Sequence, residues 1–264
     1  MTPQDTALLA TAKQNLEAES FAMKVAAKVG VPFETLMRML PAGAQASIGE
    51  AVNRALEQCL QVALLDTRTT IAPRSKRLHT AATAVTGAIG GFFGLPGLAI
   101  ELPVTTTVML HSIAEIARSH GEDLTQPEPA LACLQVFALG PNHTRLNSGA
   151  EASESAYYAT RAALTQVTRE AASYVAEKGL AKEGAPALVS FIARVAARFG
   201  LEVSEKAAAQ LIPVAGAAGG LALNIMFTNH FQRLAEGHFA IRHLERKYGQ
   251  PEVHQLYESL PTTP

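Results

Sequence analysis

The amino-acid sequence predicts an all-α protein, a multi-helix bundle with a central pair of glycine-rich apolar helices. Apolar residues recur at helical spacing through nearly the whole chain, and the alternating Val, Ile and Thr runs typical of strands are missing. Of the 264 residues, 48% are hydrophobic and only 17% are charged, so a large core can form. We expect one domain over residues 1–264, because no linker or low-complexity tract divides the chain.

Start and stop signals place the helices in order. Thr2 followed by Pro3 begins the first helix, because Thr caps a helix and Pro fits its first turn. Gly121 and Gly249 end later helices, as glycine commonly does. The stretch 140–150, rich in Gly, Asn, Pro and Ser, is the most loop-like part of the chain. Apolar periodicity predicts helices at about 2–28, 32–40, 47–66, 102–120, 127–139, 151–179, 185–199, 202–227 and 229–248, and a short final one from Pro251.

Charge and targeting signals exclude several classes of protein. The net charge is -1, from 22 Lys and Arg against 23 Asp and Glu, so we expect no nucleic-acid partner. Cys59 and Cys133 lie in apolar helical patterns that predict buried thiols. The N-terminal segment lacks the cationic start and apolar run of a signal peptide. We therefore expect a cytoplasmic protein without a signal peptide, placed peripherally on the inner face of the membrane if it binds lipid.

Two long stretches carry no charged residue. Residues 78–100 and 207–232 contain no Lys, Arg, Asp or Glu. Either length could reach across a hydrocarbon core of about 30 Å. However, the sequence Gly-Leu-Pro-Gly at 94–97 should break the first stretch. A helix limited to 80–93 would be only about 21 Å long, which is too short to cross alone.

Glycines in these stretches sit four residues apart, which lets another helix backbone approach closely. The candidates for lipid contact or helix packing are Gly87, Gly90, Gly91, Gly94, Gly97, Gly216, Gly219 and Gly220. We expect the two segments to pack against each other. Two interpretations stay open, a tight helix pair inside a soluble bundle and a hairpin that inserts into lipid or lies on it.

A polar stripe interrupts the helix that follows the first stretch. Glu101, Thr105, Ser112 and Glu115 fall near one line of this helix, between apolar faces. Buried polar groups need partners. Glu101 and Glu115 lie about 21 Å apart along a helix, so they cannot form a catalytic carboxylate pair. Glu101 is interpreted as a carboxylate at a helix N-terminus that is paired with a core residue. The candidate polar core partners are Asn224, Asn229, His230 and Arg242, with Arg118 as a further candidate one turn beyond Glu115.

The predicted helix 229–248 carries a histidine among apolar neighbours and a cationic flank. His238 is interpreted as a hydrogen-bonded core residue rather than a ligand or base. Arg242 and Arg246 follow it at helical spacing, and they could contact lipid phosphates or be solvated.

Motifs for the common enzyme classes are absent from the sequence. It contains no H-E-x-x-H, C-x-x-C, G-x-S-x-G or P-loop pattern, which argues against zinc, serine-hydrolase and nucleotide-binding sites. We therefore expect no metal and no cofactor. An unrecognised hydrolase site would draw on Glu101, His111, Glu115 and His238.

Three blocks resemble the EcsC family: GAIGGFFGLPGLAIELPVTTTVMLHSIAEIARSHGEDL at 87–124, CLQVFALG at 133–140, and IPVAGAAGGLALNIMFTNHFQRLAEGHFAIRHLERKYG at 212–249. The resemblance extends from about Gly30 to Gly249, and His111 stands where many relatives have Arg. The family takes its name from a bacterial protein encoded beside the two components of an ABC transporter. The resemblance implies a membrane-linked accessory role and supplies no catalytic residues.

Three hypotheses for the function follow, and the sequence leaves open which holds. The first is a non-enzymatic accessory protein whose glycine-rich helices associate with lipid or with a membrane protein such as an ABC transporter. The second is a hydrolase that uses the Glu and His candidates. The third is a soluble lipid-binding carrier, which needs an enclosed apolar cavity. The oligomeric state stays open as well.

Overall fold

The structure, a computed structural model, describes residues 1–18, 21, 24–26, 30, 32–65, 97, 100–139, 155–179, 185–211 and 216–261. Within these ranges every regular element is a helix and no strand occurs, so the predicted all-α class is confirmed. Most of the first uncharged stretch, with Gly87, Gly90, Gly91 and Gly94, lies outside the described residues.

The helices are numbered here in chain order. They are α1 (Pro3–Glu17), α2 (Phe33–Arg38), α3 (Ala44–Leu65), α4 (100–119), α5 (Pro127–Gln135), α6 (Ala156–Lys178), α7 (Pro186–Gln210), α8 (Gly216–Tyr248) and α9 (Gln250–Ser259). A short 3₁₀ turn, Val136–Ala138, extends α5.

The predicted helix boundaries hold where capping residues mark them. The Thr2 hydroxyl accepts a hydrogen bond from the Asp5 amide, with Pro3 at the first helical position. Gly121 and Gly249 adopt φ of +83° and +88°, a conformation that residues with a Cβ atom rarely take. These two glycines therefore end α4 and separate α8 from α9, as expected.

Several predicted boundaries are wrong. The predicted helix 202–227 is not one helix, because α7 ends at Gln210 and α8 begins at Gly216. The first helix ends at Glu17 rather than near Lys28. α7 continues through Gly200, and α8 continues through the expected break before Asn229. A glycine inside a helix costs about 1 kcal/mol relative to alanine. The buried side chains of Phe199 and Val203 on either side of Gly200 outweigh this cost, because both pack into the core.

The core is built around α8, which contacts α1, α7 and α9, while α7 also contacts α2, α3 and α6. Aromatic rings fill the centre. Phe137 lies 4.9 Å from Phe199 and 5.3 Å from Phe231 between ring centroids, and Phe227 lies 5.0 Å from Phe231. The helices are thereby fixed relative to one another around these rings.

Hydrogen bonds set the register between α4 and α8. Gln232 donates to Ser112 and Arg242 donates to Glu122, so in both pairs the residue on α8 lies 120 positions after its partner. His120 Nε2 and Glu236 Oε2, 3.0 Å apart, follow nearly the same offset. The two helices therefore run parallel, and the start of α4 lies level with the start of α8.

α7 and α8 run antiparallel. Phe199 contacts Phe231, Glu202 lies near His230, and Lys206 lies over the ring of Phe227. As residue numbers rise along α7, those of their partners on α8 fall. The C-terminal end of α7 thus lies at the same end of the bundle as the starts of α4 and α8.

α1 packs against α8 at a glycine that sequence reasoning did not single out. A Cβ atom on Gly237 would lie 2.7 Å from Leu16 Cγ and 2.8 Å from the Ala12 carbonyl oxygen. The close approach of the two helices therefore depends on the missing side chain at Gly237.

Candidate functional site

The second half of α7 is a helical segment buried on every side. All residues from 202 to 209 are buried, among them Glu202, Ser204, Glu205 and Lys206. Charged groups removed from water are costly unless they are paired. We refer to Glu101, Glu202, Glu205, Lys206 and His230 together as the buried charge cluster.

Glu101 and Lys206 form the centre of this cluster. Lys206 Nζ donates to Glu101 Oε1 at 2.7 Å, and the side chains are 0% and 2% exposed respectively. The ammonium also lies 5.1 Å from the ring centroid of Phe227. Burial lowers the pKa of Lys206, and the nearby Glu101 carboxylate offsets only part of that effect.

Glu101 therefore has the buried partner that the sequence led us to expect, but the partner is Lys206 on α7. The candidates named from the sequence did not include it. A signal existed, because Lys206 is the last charged residue before the uncharged stretch 207–232 and lies in a predicted helix with apolar neighbours. Gln232, the partner of Ser112, was missed in the same way.

The predicted polar core residues divide into two sets. Asn224 and His230 are buried, and His230 Nε2 lies 3.8 Å from Glu202 Oε2. Asn229 is exposed, so its placement in the core is wrong. Successive helical residues are rotated by about 100°, and His230 rather than Asn229 faces α7.

His238 belongs to a second polar group, which we call the tyrosine–histidine network. Its members are Tyr157, Arg161, His238 and Glu245. The Tyr157 hydroxyl lies 2.9 Å from His238 Nδ1, and Arg161 donates to both carboxylate oxygens of Glu245 at 2.7 and 2.6 Å. Burial lowers the pKa of His238 well below 6.5, and the positive charges of Arg161 and Arg242 add to this. His238 is therefore a neutral, hydrogen-bonded core residue, as the sequence indicated.

The cationic flank of α8 is neutralised by acidic residues. Arg242 donates to both oxygens of Glu122, at 2.8 and 3.0 Å, and to both oxygens of Glu128 at the same distances. Arg246 also donates to Glu122. Burial raises the pKa of Glu122, but Arg242 and Arg246 more than offset this, so the pKa is lowered. The sequence left open whether Arg242 and Arg246 contact lipid phosphates or are solvated, and in the structure each guanidinium group is paired with a carboxylate.

The four catalytic candidates cannot share one active site. Glu101 lies in the buried charge cluster at the start of α4. His111 Nδ1 contacts the carbonyl oxygen of Thr107, one turn away on the same helix. Glu115 lies one turn further along α4. By the register of α4 and α8, His238 lies level with residue 118, about 25 Å from Glu101 along the bundle.

Large apolar side chains are exposed where α4 and α8 begin. Ile100 is 79% exposed, Val104 is 48% exposed and Leu221 is 36% exposed. Ile100 and Val104 lie on successive turns of one face of α4, and Leu221 is level with the first turn of α4. We call these three residues the apolar end. Four of the glycines that were candidates for lipid contact or helix packing lie in the described residues. Gly97 is helical and buried, and Gly216, Gly219 and Gly220 form part of the first turns of α8.

The described parts of α4 and α8 around the apolar end expose no charged residue. In the described part of α4 from 100 to 108 and of α8 from 221 to 229, every residue that is not buried is uncharged. Charged residues make up about a quarter of an average soluble domain. Among all the residues that the structure describes, no helix combines the length and hydrophobicity needed to cross a membrane.

A model of the EcsC protein family matches residues 4–244, nearly the whole chain. None of the curated proteins and none of the solved structures compared with the chain matches it.

Proposed function

The chain belongs to the EcsC protein family, and from that premise we propose that it is a non-enzymatic accessory protein that binds the membrane surface through its apolar end. Lipid is the partner in this proposal, and the site lies on one end of the helix bundle. A role beside an ABC transporter is the biological setting that the family resemblance suggests.

One observation carries the proposal, namely the exposure of Ile100, Val104 and Leu221 at one end of a parallel helix pair. Single exposed apolar side chains are common on soluble proteins, and the support here is that three of them occur at the same end of the helix pair. Moving an exposed Ile, Leu or Val into an apolar environment contributes about 1.5–3 kcal/mol. The uncharged exposed residues in the described parts of α4 and α8 support lipid as the partner, because none of these side chains carries a charge that would have to leave water at the interface.

Attachment to the surface agrees better with the described helices than insertion across the bilayer. No described helix is long and apolar enough to cross a membrane. Because carboxylates hold Arg242 and Arg246, this proposal assigns the attraction to apolar contact rather than to lipid phosphates.

Vesicle flotation tests this proposal. We expect the wild-type protein to float with protein-free phosphatidylcholine vesicles, and the Ile100→Ser/Leu221→Ser double variant to bind at least about tenfold more weakly, because it loses two apolar contacts. Val189→Ser is the matched control. Val189 is 54% exposed, and it lies near the start of α7, far from the apolar end.

The control should float like the wild type. A wild-type protein that stays at the bottom of the gradient would remove the proposal. Equal loss of binding in the double variant and in the Val189→Ser variant would show that the apolar end is not the specific site of lipid contact.

The hydrolase alternative has weaker support. A general acid and base must lie within about 3 Å of the groups they serve. Glu101 is held by Lys206, and His238 lies about 25 Å away in the tyrosine–histidine network.

A further inference from the structure

Two buried polar atoms near the apolar end have no hydrogen-bond partner among the residues that the structure describes. They are Glu101 Oε2, the carboxylate oxygen that Lys206 does not bind, and Gln210 Nε2, the side-chain amide nitrogen. An unsatisfied buried polar atom costs about 1–3 kcal/mol. Native proteins rarely keep one without a reason, such as a ligand that satisfies it.

The two atoms lie at the same level of the bundle. Gln210 is one helical turn beyond Lys206, on the same face of α7 that reaches Glu101. The antiparallel register of α7 and α8 places Gln210 level with the residues just before Leu223. The parallel register of α4 and α8 places Glu101 level with Leu221. A buried acceptor and a buried donor therefore lie at the level of the apolar end.

We propose that Glu101 and Gln210 hold the free hydroxyl group of a neutral lipid of the diacylglycerol class, whose acyl chains follow the apolar end. This inference rests on the proposed lipid function and adds the identity of the lipid. A hydroxyl group donates its hydrogen to Glu101 Oε2 and accepts a hydrogen bond from Gln210 Nε2, so one group satisfies both atoms.

Other lipid head groups fit these two atoms less well. A phosphate or a fatty-acid carboxylate would place a second negative charge beside Glu101, within a cluster that already contains Glu202 and Glu205. An ammonium group cannot accept a hydrogen bond from Gln210. A triacylglycerol has only ester oxygens, which cannot donate to Glu101.

The test compares three vesicle compositions with the intact protein. They are phosphatidylcholine alone, phosphatidylcholine with dioleoylglycerol, and phosphatidylcholine with the methyl ether of dioleoylglycerol, which has no free hydroxyl. We expect dioleoylglycerol to strengthen binding by about tenfold, corresponding to the added hydrogen bonds, and the methyl ether to give no increase.

Gln210→Leu removes the donor while keeping the side-chain size similar. This variant should bind phosphatidylcholine vesicles as the wild type does, and dioleoylglycerol should no longer strengthen its binding. Because the amide nitrogen has no partner without lipid, the substitution should not lower the melting temperature of the lipid-free protein. Gln61→Leu, at an exposed position of α3, is the matched control and should keep the response to dioleoylglycerol.

The outcomes separate the two proposals. If dioleoylglycerol does not change the binding to phosphatidylcholine vesicles, or if its methyl ether strengthens that binding equally, the hydroxyl site is overturned. The proposed binding to the lipid surface would still stand. If the wild-type protein binds none of the three kinds of vesicle, both the lipid-surface function and the hydroxyl site are ruled out. The methyl ether comparison needs no variant, so the inference stays testable if Gln210→Leu does not fold.

Discussion

Replacing Lys206 by Met is expected to lower the free energy of unfolding by about 3–5 kcal/mol, because it leaves the Glu101 carboxylate buried without its partner. Both side chains are almost completely inaccessible to water, so solvent cannot replace the lost ion pair. Urea unfolding followed by circular dichroism measures the change. Lys178→Met, at an exposed position near the end of α6, is the control and should change stability by less than about 0.5 kcal/mol.

The double variant Lys206→Met/Glu101→Met completes the comparison. Removing both charges should recover most of the lost stability, because apolar residues of similar size can replace a buried ion pair at little cost. A Lys206→Met protein as stable as the wild type, or losses that simply add in the double variant, would contradict the ion pair as an energetic unit.

Replacing Gly237 by Ala is expected to destabilise the protein by about 1–3 kcal/mol, although alanine normally favours a helix. The new Cβ would meet the Ala12 carbonyl oxygen and Leu16 Cγ at distances that force α1 away from α8. Urea or thermal unfolding measures the loss.

Gly200→Ala provides the matched control. Gly200 also lies inside a helix, but a Cβ there would meet nothing within 4 Å. That substitution should stabilise the protein by up to about 1 kcal/mol. If both substitutions stabilised the protein equally, the close packing of α1 on α8 would be wrong.

Local signals in the sequence were enough for the class of fold and for most helix ends. Thr2 with Pro3, Gly121 and Gly249 each mark a boundary through their own conformational preference, so no tertiary information was needed. The helix breaks expected at Gly200 and before Asn229 do not occur, because packing in the core keeps these residues helical. Phe199 and Phe227 keep α7 and α8 helical through contacts that periodicity cannot reveal.

The candidate site could be predicted only in part. The burial of Glu101, His230 and His238 followed from their apolar surroundings in the sequence. Lys206 had a local signal of burial, but its pairing with Glu101 and the pairing of Tyr157 with His238 could not be predicted, because the register of their helices against α4 and α8 is set by the assembled core. For the same reason, the sequence could not show that Glu122 neutralises Arg242.

A fluorescent label at the apolar end tests the central claim most directly. An environment-sensitive dye attached through Ile100→Cys would report lipid contact, with Val189→Cys as the reference position on α7. The native thiols should not react, because Cys59 and Cys133 are buried and burial raises the pKa of each to about 12. On addition of phosphatidylcholine vesicles, we expect a blue shift of the emission at position 100 and none at position 189. A shift at position 189 with no change at position 100 would contradict the account.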